Sequence, residues 1–276
     1  MLGMHIEKYK IMLQSRIQKP IPERLSHYTD LESLKSILSD QDGKGICFWA
    51  FSNKCKNDDL ETKMGEYMLH RVRKVLPCAS ILDKFGGYEN SASISFMEGE
   101  INQYMFKKYA HYRLEFDLRE IGVGLLTKGL IDCEYIQKSE LKEYADEYCE
   151  IISSKFNSIS TLQKKYGKGH PLLGANVSEF IMMENDIMTK VFCLKEQQWS
   201  QEREWRLVFG LNDNANIQYH NGKPYVEYYL DKTKLTGITV FCTAGTLDEA
   251  QKDADDIADY ISEKGYNAKV KVEVFG

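Results

Sequence analysis

Proline is scarce, with 5 residues in 276, and no low-complexity or linker-like tract interrupts the chain. That argues against a disordered or extended working segment. Long apolar runs are missing too, and nothing approaches the roughly 20 residues that a membrane-crossing helix needs. The opening "MLGMHIEKYKIMLQSRIQK" mixes acids and bases along a helical stripe and lacks the continuous apolar stretch of a signal peptide. Paired cysteines are absent as well. Cys47, Cys55, Cys78, Cys133, Cys149, Cys193 and Cys242 are odd in number and irregular in spacing, with no CxxC. The expectation is a reduced, cytoplasmic protein with no membrane contact rather than a disulfide scaffold. The six histidines (5, 27, 70, 111, 170 and 220) do not cluster at metal-ligand spacing, so no metal is expected. Basic excess is lacking: the formal net charge is -5, which removes any global pull toward nucleic acid. There is no P-loop, no HExxH and no G-x-S-x-G elbow. The G-x-G triplets at Gly43, Gly122 and Gly167 lack the continuation that a phosphate cradle requires.

What is present is a globular composition, 43% hydrophobic and 28% charged, in a chain long enough to bury a sizeable core. Hydrophobic periodicity divides it into elements. Residues 4–18 carry a helical stripe that ends before Pro20 and Pro22. Leu25 to Tyr28 is short and extended. Thr29-Asp30-Leu31-Glu32 then matches a capping box, with Leu31, Leu34, Ile37 and Leu38 at helical spacing and a stop near Gly43. Residues 45–52 read as a strand. The helix after it carries Leu60, Met64, Tyr67, Met68, Arg71 and Val75 along one side. A short strand around Ser93 to Phe96, a short helix over 102–109 and the alternating "YRLEFDL" follow. Residues 139–165 read as a long polar helix and 171–189 as a more apolar one, together a helical insertion over about 139–189.

Beyond residue 190 strands dominate: "EWRLVFG", a hairpin turning at Asn221-Gly222, "GITVFC" and the terminal "AKVKVEVF". A helix capped at Thr246, with Leu247, Ala250, Ala254, Ile257 and Ile261 on one side, separates the last two. No repeat divides the chain. The expectation is one α+β domain over 1–276, with a mixed, mostly antiparallel, split β-sheet core flanked by helices.

Several groups of residues are placed to carry chemistry. In an extended segment His27 shares a side with Leu25 while Tyr28 points the other way. Both stand at a strand–helix junction, where ligands sit in mixed folds. The plainer and favoured role has His27 satisfying a carbonyl and Tyr28 packing. Read as a strand, "WSQEREWRL" puts Arg203, Trp205, Leu207 and Phe209 on one side and Glu202, Glu204 and Arg206 on the other. The charged side is either a solvated ion-pair surface of little worth or a pair of carboxylates facing a cleft. In "NSASISF", Ser91, Ser93 and Ser95 share a side that borders a ligand or belongs to an ordinary edge strand. Trp49 and Phe51 offer rings for stacking. Asn57, Asp58 and Glu61 bind a polar ligand or cap the next helix, and capping is the favoured role. The Thr243-Ala244-Gly245-Thr246 turn offers helix-terminal amides to a phosphate, a weak signal that any strand–helix turn shares.

The pieces "HYTDLESLKSIL", "FWA…NDDLE", "SISF…YMFKKYAHYRLEFD" and "QQWSQEREWRL" stand in an order that resembles the bacterial domain-of-unknown-function 2971 family. The resemblance spans about residues 25–275. It is strongest at His27-Tyr28-Thr29, at Asn57-Asp58 with Glu61, and at Glu202-x-Glu204-Trp205-Arg206. Phe106 stands where that family usually has Trp, and the ending "VEVFG" departs from its polar, basic terminus. The family implies no activity. A His on a first strand, a small or aromatic residue on a middle strand and a Glu on a late strand is also similar to the ADP-ribosyltransferase pattern. That resemblance implies an ADP-ribosyltransferase-like fold with NAD as substrate. His27 would position NAD, and Ser93, Ser95 or Phe96 would border the nicotinamide. Glu204 would bind the nicotinamide ribose, with Glu202 as the upstream acid. Tyr28, Thr29, Trp49 and Arg206 complete the expected nucleotide contacts. A fixed carboxylate at Glu204 suits an oxocarbenium-like ribose.

The resulting expectation is an NAD-cleaving enzyme that transfers or hydrolyses ADP-ribose, as a toxin or anti-phage effector, with a protein or nucleic-acid acceptor left open. One alternative is a non-catalytic nucleotide-binding or sensor module in the same cleft, anchored by Trp49 and Trp205. The third is a metal-dependent nuclease using Asp58, Glu61 and the Glu202/Glu204 pair, disfavoured because no lysine is evident beside the acids. The transferase reading requires His27 and Glu204 to face one cleft, with Ser93 to Phe96 between them.

Overall fold

Alternating apolar positions give each strand one side to bury, and strand pairing in this chain stacks those sides. The computed structural model describes residues 20–55, 59–76, 91–99, 103–108, 111–121, 130–167, 191–211 and 216–275. Within them β1 (Leu25–Thr29) leads through α1 (Leu31–Ile37) to β2 (Ile46–Phe51) and α2 (Asp59–Val75). Next come β3 (Ser91–Glu98), α3 (Gln103–Lys108) and β4 (Tyr112–Phe116). The short strands β5 (Leu130–Asp132), β6 (Glu134–Ile136) and β7 (Leu194–Glu196) follow, with α4 (Leu141–Tyr166) between the last two. The order continues with β8 (Glu204–Gly210), β9 (Gln218–His220), β10 (Lys223–Leu230), β11 (Leu235–Thr243), α5 (Leu247–Glu263) and β12 (Lys269–Phe275).

Seven strands form one sheet in the order β12-β11-β4-β1-β3-β8-β5. Neighbours are antiparallel except β11 and β12, which run parallel and are joined through α5. A parallel pair needs such a crossover. A three-stranded antiparallel sheet, β2-β10-β9, and a parallel pair, β6-β7, complete the strand set. The architecture is mixed α/β, with a mostly antiparallel sheet flanked by helices, as the periodicity anticipates.

Residues paired across strands point to the same side. Leu25, His27 and Thr29 therefore share a side with Phe116, Leu114 and Tyr112 of β4. Phe96 and Trp205, opposite each other on β3 and β8, lie on that side too. It packs into one hydrophobic cluster with Leu34 and Leu38, with Ala254, Ile257 and Ile261 of α5, and with Phe48 and Val226 of the small sheet. The other side of β8 and β5 contributes Val208 and Ile131 to a second cluster with Met68 and Val72 of α2, Tyr148 and Ile152 of α4, and Leu194. Each fully buried large apolar side chain contributes roughly 1.5–3 kcal/mol, so both sides of the sheet are held.

Local details correct several expectations. Thr29 ends β1, and Asp30 is the N-cap of α1, its Oδ1 accepting from the Ser33 N–H at 2.7 Å. The helix ends at Ile37, and a separate 3-10 turn occupies Gln41–Gly43. Gly45 follows with φ of 88°, and a Cβ there would meet the Leu230 carbonyl oxygen at 2.5 Å, so glycine is required. Thr246 does not cap α5 through its side chain. It pairs with Thr243 in a capping box around the short turn just before the helix. Leu247 is 42% exposed and leaves the buried stripe. The hairpin forms at Asn221-Gly222 as read, with φ of 49° and 75°, both positive as a type I′ turn demands. β5, β6 and β7 have only three residues each and show no period in the sequence. The first part of the expected insertion is α4, which packs on α2 beneath the sheet. The expected helices over 4–18 and 171–189, and Asn57 with Asp58, lie outside the described residues.

Candidate functional site

The pairing register decides which residues meet. Glu115, Ser26, Met97 and Glu204 lie in one row across β4, β1, β3 and β8. Two residues along, Arg113 pairs with Tyr28 and Ser95 with Arg206. Tyr28, Ser93, Ser95, Glu204 and Arg206 thus share one side of the sheet. His27, Thr29 and Phe96 are on the other side, inside the first hydrophobic cluster or against it. The pair that a transferase site must bring together, His27 and Glu204, is separated by the sheet itself.

His27 takes the plainer role. Its Nδ1 lies 2.9 Å from the Ser95 carbonyl oxygen, and its ring meets Phe48 and Phe96 edge-on at 5.1 and 6.1 Å. Burial lowers its pKa, and the Ser95 carbonyl opposes that shift only in part. Tyr28 stacks on Phe241 at 6.0 Å. Asn53 clasps the serine side of β3, donating to Ser91 Oγ at 2.7 Å and accepting from Ser93 Oγ at 2.8 Å. Trp49 lies on the three-stranded sheet, stacked on Tyr225 at 4.7 Å.

The charged side of β8 is buried rather than solvated. Glu202, Glu204 and Arg206 are 1–2% exposed. Glu202 does not share the strand, because residues Gln197–Glu202 form a 3-10 turn and Arg203 breaks the run with φ of 43°. The two carboxylates converge nevertheless on Lys195 of β7. Its Nζ donates to Glu202 Oε2 at 2.5 Å and to Glu204 Oε2 at 2.6 Å. Arg206 Nε and Nη2 bind the same Glu204 carboxylate at 2.7 and 2.9 Å, while Nη1 reaches the Phe192 carbonyl at 2.7 Å. Lys108 of α3 donates to Glu202 Oε1 at 2.7 Å and lies 3.5 Å from the centre of the Trp199 ring.

Burial alone would lower the Lys195 pKa, but Glu204 and Glu202 outweigh it and hold the ammonium above the usual lysine range. Breaking a buried pair of this kind typically costs about 3–5 kcal/mol, so the network fixes the start of β8. It also changes the chemistry of Glu204. A carboxylate already shared between a guanidinium and an ammonium has little charge left for an oxocarbenium ion. The absence of a lysine beside the acids, the argument made against a nuclease, is corrected by Lys195. Among the described residues, however, no three His, Cys, Asp or Glu side chains converge as a metal site.

A cleft of about 320 Å³ opens at the end of β3 and β5 and the start of β8. Glu98 and Asp132, the last residues of β3 and β5, bring carboxylates, and Arg203 brings a guanidinium. Cys133, Tyr135, Ser200 and Glu204 complete the wall. The left-handed backbone at Arg203, a conformation that costs a non-glycine residue on the order of 1–3 kcal/mol, turns its side chain out of the strand while its carbonyl accepts from the Glu98 N–H at 3.0 Å. Glu98 Oε2 accepts from Trp205 Nε1 at 3.1 Å. The Tyr135 hydroxyl accepts from the Glu204 N–H at 2.8 Å. Burial, then the nearby Cys133, raises the Tyr135 pKa, so the hydroxyl keeps its own proton to donate.

Of the expected site residues, only Glu204 lines this cleft. Glu98, Asp132, Tyr135, Lys195, Arg203 and Lys108 join the cleft or its supporting network without having been singled out for those roles. The buried Lys195 left no trace in sequence: "VFCLKE" carries no alternation that would say which side its lysine takes. No family model matches the chain, and no curated protein or solved structure matches it.

Proposed function

We propose that this protein is a nucleotide-binding module that holds a ribose phosphate in the cleft at the start of β8. One observation carries the reading. Two carboxylates, Glu98 and Asp132, converge with one displayed guanidinium, Arg203, around about 320 Å³. Carboxylates accept from paired sugar hydroxyls, and a guanidinium binds phosphate through its planar fork. Tyr135 and Ser200 add hydroxyl donors for the same ligand. The volume suits a sugar phosphate, at the lower end of the range for ligand pockets. The free thiols among the described cysteines favour a reducing, cytoplasmic setting. An ADP-ribosyltransferase-like fold is the finer reading of the architecture. The mostly antiparallel sheet favours it; the placing of His27 and Glu204 on opposite sides does not.

The test is thermal melting with AMP, ADP-ribose, NAD and unphosphorylated adenosine, alongside a nicotinamide-release assay. A ligand that binds the folded state raises the melting temperature, and the rise grows with the logarithm of its concentration above Kd. AMP and NAD are expected to raise it, adenosine much less, and Arg203→Gln and Asp132→Asn to abolish the shift, with no nicotinamide released. No shift across the panel overturns the reading. Nicotinamide release that disappears in Glu204→Gln replaces it with the transferase.

A further inference from the structure

Cys133 lines the cleft and follows directly on Asp132, yet the binding reading gives its thiol no task. β6 and β7 run parallel with Glu134 opposite Leu194. Cys133 and Cys193 each stand immediately before that pair, Cys193 at the end of the helical segment that leads into β7. The paired residues that follow them lie about 4.8 Å apart, within the roughly 4.4–6.8 Å Cα separation of disulfides. The two thiols adjoin closely enough that Cys193 helps to raise the Cys133 pKa. Cys193 is fully buried and Cys133 is 7% exposed, so a small oxidant reaches the pair where Cys133 lines the cleft.

We propose that Cys133 and Cys193 form a thiol–disulfide switch in the cleft wall, closed by a peroxide. Hydrogen peroxide transfers one oxygen to the Cys133 sulfur, giving a sulfenic acid and one water. The Cys193 sulfur then attacks the Cys133 sulfur and expels the hydroxyl, which leaves as a second water with the remaining thiol proton. Two thiols are oxidised and one peroxide is reduced. The bond draws the two sulfurs together to about 2.05 Å. That movement is transmitted to the cleft, because the Cys133 N–H donates to the Glu204 carbonyl at 2.7 Å and Tyr135 holds the Glu204 N–H. Burial pushes the Cys133 thiol well above its ordinary range. The thiolate is the reactive form, so the pair resists oxidation at neutral pH and closes faster as pH rises.

The regulatory part of this inference rests on the nucleotide reading; the chemistry of the pair does not. The experiment treats the folded, full-length protein with hydrogen peroxide and maps its peptides without reduction. The expected product is a Cys133 peptide linked to a Cys193 peptide, lighter by two hydrogens and reversed by dithiothreitol. In Cys193→Ser the Cys133 sulfenic acid is expected to persist and to be trapped by dimedone. Amide exchange over residues 133–135 and 203–206 is expected to change on oxidation, and the melting shift produced by AMP to fall. Both cysteines remaining thiols while other cysteines oxidise, or Cys133 linking elsewhere, overturns the proposal. A correct link with unaltered exchange overturns the switch. If AMP gives no shift even in the reduced protein, the nucleotide reading fails, while the link and the exchange still judge the thiol pair.

Discussion

At the scale of single residues, His27 shows how a side chain with two open uses is assigned by its neighbours. An adjacent His-Tyr pair is legible in sequence, and so is its place at the end of a strand. Which side of the sheet each residue takes relative to Glu204 is not, because that depends on the register of β1 and β3 with strands far away in the chain. Enclosed between Phe48 and Phe96, the imidazole is easier to keep neutral than charged, and its pKa is lowered from 6.5. The unfolded chain therefore binds more protons in the window below that value. Stability is full above about pH 6.5 and falls as the pH drops toward the folded-state pKa, by up to about 1.4 kcal/mol per pH unit. His27→Phe removes this dependence. Urea midpoints at pH 7.5 and 5.5 are expected to show the wild type losing more stability than the variant. At pH 7.5 the variant is expected to be weaker by about 1 kcal/mol, the lost bond to Ser95. Equal losses in the two proteins would mean that folding leaves the His27 pKa unchanged.

Elements with many periods were legible, and elements with few were not. α4 and α5 span 26 and 17 residues, enough turns for a stripe to stand out. β8 and the β9–β10 hairpin are marked by alternation and by Asn221-Gly222. β5, β6 and β7 are too short for any period, yet they carry Asp132, Tyr135 and Lys195, so much of the cleft and its support was hidden with them. Helix caps sit between these cases. The residues Thr29 and Asp30 both suit an N-cap, and β1 settles the choice by pairing as far as Thr29, opposite Tyr112. The cap bond to the Ser33 N–H falls to Asp30. Asp30→Ala is expected to cost about 1 kcal/mol in chemical denaturation. Thr29→Val, which keeps the shape of a strand residue, is expected to cost less than half of that. The reverse order would restore the capping box at Thr29.

For the molecule as a whole, the sequence announced the mixed architecture but not how its two hydrophobic clusters depend on each other. β8 links them, with Leu207 in the first cluster and Val208 in the second. The Lys195–Glu204–Arg206 network ties β7, beside α2 and α4, to the same strand. A strand cannot keep one side packed when the other side has melted, so the clusters are expected to unfold together. Phe96→Ala opens a cavity in the first, at a cost of about 3–5 kcal/mol, and Ile152→Ala one in the second, at about 2–5 kcal/mol. Far-UV circular dichroism weights the helices α2 and α4, whereas tryptophan fluorescence includes Trp205 in the first cluster. In both variants the two signals are expected to shift to lower urea concentration as one coincident transition. If Ile152→Ala moves the helical signal alone and leaves fluorescence at the wild-type midpoint, α2 and α4 form a separately folding unit, and the one-domain reading of residues 1–276 is lost.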